Sequence, residues 1–254
     1  DRYEPYVGRW SRAVADRFLT WLRPAPGGRW IDVGCGTGAL TDTVLAAAAP
    51  SSVLAVDRSA AYLAYARSRL AGRPVGVGVA DAAALPAVSG SVDYVVSGLM
   101  LNFLRDPARA VAEMTRAGRP GGVVAAYVWD YADGMQPIRT FWDAAVAIDA
   151  GAAELDERRR FPLCRPDRLA ALFDHAGLTQ VDTTSLTVPA VFGDFEDYWT
   201  PFLGGQGPAP TYCVNLSRSA RQELRDRLRS SVPRSADGSI PLSARAWAVR
   251  GTVT

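Results

Sequence analysis

Short apolar runs alternate along this chain with stretches whose apolar positions recur every three or four residues. Runs at residues 30–33, 53–56, 75–79, 92–96 and 123–128 predict five strands. Between them, helical spacing predicts helices over residues 40–48, 59–70 and 106–117, with Ser59 as an N-cap and Pro107 at a first helical position. Ahead of the first strand, Trp10, Val14, Phe18 and Trp21 or Leu22 share one face of a helix over residues 7–22. Residues 24–28 then break the chain, and Arg119-Pro120-Gly121-Gly122 reads as a turn. This alternation argues for a parallel sheet covered by helices. Ligands of such sheets sit beyond the carboxyl ends of the strands. Those ends carry Asp32, Asp57, Asp81, Ser97-Gly98 and Trp129-Asp130.

The second half changes character. Residues 131–164 lack strand patterning and hold the charged run Glu157-Arg158-Arg159-Arg160. A helix is predicted over residues 166–177, a Thr- and Val-rich strand over 181–188, an aromatic and turn-rich stretch over 192–213, an arginine-faced helix over 216–228 and a last strand over 242–249. No linker-like break appears, so the expectation is one domain over residues 1–254. Its core is about 23–130 and 166–254; the helix at 7–22 and insertions at about 131–165 and 190–215 form a cap.

Composition narrows the function classes. A net charge of +2, with arginine as the sole strong base, gives no reason to expect a polyanionic partner such as nucleic acid. The three cysteines, Cys35, Cys164 and Cys213, fit neither a zinc spacing nor a disulfide framework, and no metal site is expected. No apolar run is long enough to span a membrane, and residues 1–6 carry no signal-peptide pattern, so a soluble, cytoplasmic protein is the expectation.

The chemistry centres on residues 30–41, where a strand, three glycines and a helix start succeed one another. Glycine lets a backbone take positive φ and approach a ligand, and a helix N-terminus offers free N–H groups. Gly34-x-Gly36-x-x-Ala39 satisfies the permissive dinucleotide fingerprint, and Asp57 stands where a ribose-binding acid belongs. An NAD-dependent oxidoreductase is therefore one reading. Against it, the Asp32 carboxylate would repel a diphosphate and attract a cationic ligand, and the glycine loop has no basic residue.

Ile31-Asp32-Val33-Gly34-Cys35-Gly36-Thr37-Gly38 resembles the first motif of class I S-adenosylmethionine-dependent methyltransferases. The wider pattern is similar to the small-molecule group called methyltransferase type 11, through Asp57, Asp81, residues 94–104 and Arg119-Pro120-Gly121-Gly122. The resemblance spans roughly residues 30–130, and the strand at 242–249 is similar to the family's late antiparallel strand. It implies a Rossmann-like three-layer α/β sandwich. The seven-stranded sheet would be mostly parallel with its last strand antiparallel, and helical or loop insertions would cap the active site.

The resemblance also implies residue roles. Gly34, Gly36 and Gly38, with Cys35 among them, would pass close to the methionine part of S-adenosylmethionine. Asp32 would lie near that part, through water or a backbone group. Asp57, adjoined by Arg58, would accept from both ribose hydroxyls, and Asp81 from the adenine amino group with the Ala82 N–H facing the ring. Ser97, Gly98 and Leu99 would line the reactive side; Tyr6 and Arg12 would close over the cofactor carboxylate. Asn102 stands where the family often has histidine, which removes one candidate base.

Methyl transfer is an in-line displacement, for which the protein supplies alignment. The single histidine, His175, sits near a predicted helix end, where the helix dipole accounts for it. Asp130 is the candidate catalytic residue, and Asn102, Trp129, Tyr131, Trp199 and Phe202 are the candidate lining of an apolar substrate pocket. The expected activity is methylation of a small organic molecule, yielding S-adenosylhomocysteine. A non-methylating enzyme of the same fold, such as a cyclase that keeps the cofactor, is the alternative.

Overall fold

A computed structural model describes residues 8–205 and 207–254. Its elements follow one another as α1 (Ser11–Leu22), β1 (Arg29–Val33), α2 (Ala39–Ala47), β2 (Ser52–Asp57), α3 (Ala60–Arg69), β3 (Val75–Val79), β4 (Val92–Gly98), α4 (Pro107–Ala117) and β5 (Gly118–Trp129). There follow α5 (Gln136–Ile148), α6 (Glu157–Arg160), α7 (Pro166–His175), β6 (Thr179–Phe192), α8 (Phe195–Trp199), α9 (Pro208–Asn215), α10 (Arg218–Ser231) and β7 (Ile240–Thr252).

The strands form one seven-stranded sheet in the order β3-β2-β1-β4-β5-β7-β6. β1 to β5 pair in parallel: Asp32 of β1 stands beside Ala55 of β2 and Val96 of β4. The last strands are antiparallel. Gly121 and Val253 are joined through their backbone, as are Asp130 and Arg245, so the partner's number falls as β5 advances. The order reverses at β1, where β2 and β4 flank it on opposite sides. That crevice is the ligand position in open α/β sheets.

Local chemistry explains most of the boundaries. Ser59 accepts a hydrogen bond from the Tyr62 N–H at the start of α3, and Asp106 accepts one from Arg109 before Pro107 opens α4. Residues 30–33 are buried without alternation, as a central parallel strand requires. Two expectations fail. Residues 119–122 belong to β5 rather than to a free turn; Gly121 takes φ +73° and the pairing register shifts beside Asp93. Residues 192–213 are largely helical. Phe195, Tyr198, Trp199 and Phe202 recur at helical spacing, and Pro201 and Pro208 occupy first turns, where a missing N–H costs nothing.

The chain divides into two compact units. The larger comprises Ser11–Val128, Arg165–Leu186 and Trp247–Thr254. The smaller comprises the described residues through Trp10, Trp129–Cys164 and Thr187–Ala246. Within the larger, Val33, Val95, Val96, Val111, Met114 and Val124 are fully buried between sheet and helices. Within the smaller, Phe141, Trp142, Tyr198 and Phe202 hold that place. No helix among the described residues is long and apolar enough to cross a membrane.

Candidate functional site

In the larger unit, the bend from β1 to α2 is shaped by its glycines. Gly34 has φ +73°, and a Cβ there would lie 2.4 Å from Met100 Cγ, so both conformation and space exclude a side chain. Gly38, at φ 86°, caps α2 in the left-handed region. Four amides of the loop are engaged within the protein. Gly34 and Cys35 donate to the Val56 carbonyl at 2.8 and 2.9 Å, and Gly38 donates to the Cys35 carbonyl at 2.8 Å. Gly36 donates to Asp57 Oδ2 at 3.0 Å.

Asp57, at the end of β2, is thus a brace for the loop. Its other oxygen accepts the Ser59 N–H at 2.8 Å. A carboxylate offers about four lone-pair sites, so about two stay open for a ligand. At the end of the neighbouring strand, Ala80 donates to the Asp57 carbonyl at 3.1 Å, and the exposed Asp81 accepts the Ala83 N–H at 2.9 Å. Ala82 is half-buried and Arg58 is exposed.

Asp32 lies beneath this loop, only 1% exposed. Its Oδ2 accepts the Thr41 hydroxyl at 2.6 Å. Its Oδ1 is buried and has no partner among the described residues. Burial pushes its pKa up to about 7; the Thr41 hydrogen bond opposes this and the negative charge of Asp57 adds to it. The expected discrimination against diphosphate by a full charge on Asp32 is therefore weakened near neutrality. The engaged amides give a second ground, because Gly34, Cys35, Gly36 and Gly38 already have acceptors, which leaves the loop itself with few donors for a phosphate.

At the end of β4, Ser97 is fully buried and donates to the Val33 carbonyl at 2.8 Å, tying β4 to β1 rather than facing a ligand. A Cβ on Gly98 would lie 2.6 Å from the Tyr127 hydroxyl. Leu99 takes φ +59°, a costly conformation for a leucine, while its N–H donates to the Tyr127 carbonyl at 2.8 Å. Half-buried Asn102 follows in a short 3-10 turn, with its Nδ2 buried and without a partner among the described residues. Arg12 is exposed on α1, and Tyr6 lies outside the described residues.

The smaller unit holds the remaining candidates. Asp130 is 1% exposed. Its Oδ2 accepts from Arg245 Nε at 2.7 Å and pairs with the NH2 group at 2.6 Å, while Oδ1 accepts the Asp133 N–H at 3.1 Å. A carboxylate 1% exposed, held by a guanidinium on one oxygen and a backbone N–H on the other, is an anchor for residues 130–135, and the guanidinium disfavours the proton uptake that a general base must perform. Asp130→Asn is expected to lower unfolding free energy by about 1–3 kcal/mol, read in urea, while leaving cofactor affinity unchanged.

Trp129 is buried with Nε1 unpartnered among the described residues, and Tyr131 packs on Phe161 at 5.3 Å. Trp199 and Phe202 belong to an aromatic core: Phe202 stacks on Phe141 at 4.4 Å, and Trp199 lies 6.3 Å from Phe202. The cavity lined by Trp10, Pro137, Ile138, Phe192, Tyr198, Pro201 and Phe202 measures about 10 Å³, no more than one water. Phe202 and Trp199 are thus buried in packing contacts, and the cavity that Phe202 lines has no room for an organic ligand. The exposed His175 bonds to the Ala171 carbonyl of its own helix at 2.5 Å.

Residues 31–126 match the family model described as "Methyltransferase domain". That segment resembles a methyltransferase domain. The fold is that of solved Rossmann-like methyltransferase structures. It is similar to a malonyl-[acyl-carrier protein] O-methyltransferase of Methylococcus capsulatus, 34% identical over 122 residues, or 47% of this chain and 44% of the relative. It is also similar to a demethylmenaquinone methyltransferase of Renibacterium salmoninarum, 36% identical over 115 residues, or 45% of each chain. Each alignment spans less than half of the relative's own length. Among solved structures, Haemonchus contortus phosphoethanolamine N-methyltransferase 2, in complex with phosphomonomethylethanolamine and S-adenosylhomocysteine, superposes with a TM-score of 0.59 at 18% identity. That likeness covers 94% of this chain and 52% of the other, and it shows the fold.

The site fits S-adenosylmethionine on the donor set alone. A buried, unpartnered Asp32 oxygen suits a cation, Asp57 has lone pairs for vicinal hydroxyls, and a Cβ on Gly36 would meet nothing within 4 Å, so the loop is open there. Among the described residues, no group of three His, Cys, Asp or Glu side chains is placed to hold a metal. Three residues near the candidate site carry no role in the sequence reading. Thr41 left a signal, a hydroxyl in the first turn of the helix that follows an acidic strand end. Met100 beneath Gly34 and Arg245 opposite Asp130 left none.

Proposed function

We propose that the chain is an S-adenosylmethionine-dependent methyltransferase that acts on a small organic molecule by in-line methyl transfer. The observation that carries the reading is the state of the glycine loop: four of its amides are internally bonded, and two acids, Asp32 and Asp57, stand at it instead of phosphate donors. When bound, the cofactor supplies a methyl group already activated on a cationic sulfur. The residues of the chain hold and align it. Asp57 accepts from the ribose hydroxyls while bracing Gly36, Asp81 accepts from the adenine amino group, and Asp32 faces the methionine part. Leu99 and Asn102 border the reacting side, where the unpartnered Asn102 amide can donate to an acceptor substrate.

The relatives named above act on a malonyl group carried by a protein and on demethylmenaquinone. An organic acceptor is common to both names, and a net charge of +2 gives no reason to expect a nucleic acid instead. Asp130, held by Arg245, takes no proton in this reading; the acceptor arrives already nucleophilic or gives its proton to solvent.

The test is equilibrium binding of S-adenosylmethionine, S-adenosylhomocysteine and NAD, followed by mass spectrometry of acceptor panels incubated with methyl-labelled cofactor. Binding of the first two without NAD, and label in an acceptor, is the expected result. Binding of NAD in their place would overturn it. Tight cofactor binding with no S-adenosylhomocysteine formed across all acceptors would favour a non-methylating enzyme.

A further inference from the structure

Asp32 is out of keeping with its surroundings. It lies in the sheet interior beside Ala55 of β2 and Val96 of β4, neither of which can offset a charge. Thr41 of α2 gives it one neutral hydrogen bond. Cys35 of the loop is buried, and the same burial pushes its thiol up, with the charges of Asp32 and Asp57 adding. The charged group acting on Asp32 is Asp57, of like sign. One oxygen has no donor at all among the described residues. A buried carboxylate left this way keeps a proton more readily than it stays ionised.

We propose that Asp32 is a proton-linked seat: its carboxyl exchanges a bound proton for the cationic methionine end of the cofactor, and the proton leaves to solvent. The inference rests on the methyltransferase reading and deepens it. The sign follows from linkage. In the ligand-free protein Asp32 holds its proton below about pH 7. A docked cation favours the ionised form, so binding lowers that value and releases a proton in the window around and below neutrality. Affinity therefore rises as pH rises toward 7, until loss of the ligand's own α-amine proton above about pH 7.7 works against it. Thr41 is the positioning residue that sets where the window lies, because its hydroxyl supports the ionised form.

The experiment is calorimetry of S-adenosylmethionine binding in buffers of different ionisation enthalpy, for wild type, Asp32→Asn and Thr41→Val. Below about pH 6.5 the ligand's α-amine is protonated both free and bound, so the difference there isolates Asp32. At pH 6, wild type should release more protons than Asp32→Asn, by a sizeable fraction of one proton per site. Thr41→Val should carry that release to higher pH, and Thr41→Ser should restore the wild-type profile. Equal proton counts in wild type and Asp32→Asn would overturn the inference and leave the cofactor reading standing. No binding by wild type would overturn both. Should Asp32→Asn fail to fold, carbon-13 NMR of aspartate carboxyls in the wild type decides: one carboxyl must titrate near neutrality without ligand and lose that step with it. Unchanged titration overturns the proposal.

Discussion

Asp57→Ala is expected to weaken S-adenosylmethionine binding by about a hundredfold or more. Two effects combine. The carboxylate's hydrogen bonds to a ligand's hydroxyls are charge-assisted, at about 1.5–3 kcal/mol each. Its present bonds to the Gly36 and Ser59 amides also disappear, so the loop loses the brace that fixes its shape. Asp57→Asn separates the two: one oxygen still accepts, so part of the bracing survives while the second ligand contact becomes a clash of donors. The order wild type, Asn, Ala in calorimetric affinity is the expected outcome. A Kd for Asp57→Ala within a few-fold of wild type would remove Asp57 from the site.

Arg139→Ala is expected to cost about 3–5 kcal/mol of stability, the penalty for stranding one member of a buried ion pair. Arg139 donates to both oxygens of Asp156, at 2.9 and 2.7 Å, and to the Tyr131 carbonyl at 3.2 Å. The two side chains are only 8% and 12% exposed. Asp156 also accepts the Arg158 N–H at 2.8 Å and so caps α6. The substitution therefore unmoors both α6 and the segment after β5. The urea midpoint should fall well below that of wild type. The double change Arg139→Met with Asp156→Asn should recover part of the loss, because no charge is then left buried and the cap is kept. A single variant as stable as wild type would mean that solvent already reaches Asp156.

The two predictions differ in how much of them the sequence carries. Asp57 announces itself: an acid closing an apolar run, about twenty residues beyond a glycine loop, is local information, and so are the strand order's ingredients and the caps at Ser59 and Asp106. Arg139 announces nothing. Its partner stands seventeen residues on, and a charged residue inside an amphipathic helix reads as solvated until the fold buries it. Arg245 and Asp130 are 115 positions apart, so the ion pair that occupies the expected base could not be read from either. Residues 192–213 were legible in principle. Their aromatic spacing is helical, and the prolines at 201 and 208 open helical turns, where a missing N–H is tolerated, although the stretch reads as turn-rich. At Asp32 the residue was legible and its state was not, since the absence of a second hydrogen-bond donor is a property of packing.

Every strong base in this chain is a guanidinium, and the pairs described above are closed by it. A guanidinium keeps its charge far above the pH at which an ammonium gives up its proton. Alkaline solution therefore does not dissolve these pairs from the cationic side, and ionic strength sorts them instead. The Arg9–Asp197 pair, with side chains 32% and 38% exposed, lies within reach of screening ions. The Arg139–Asp156 pair does not. Salt added at high pH would thus loosen the rim of the smaller unit while its ionic centre holds, so brine and base act on this protein as separate controls.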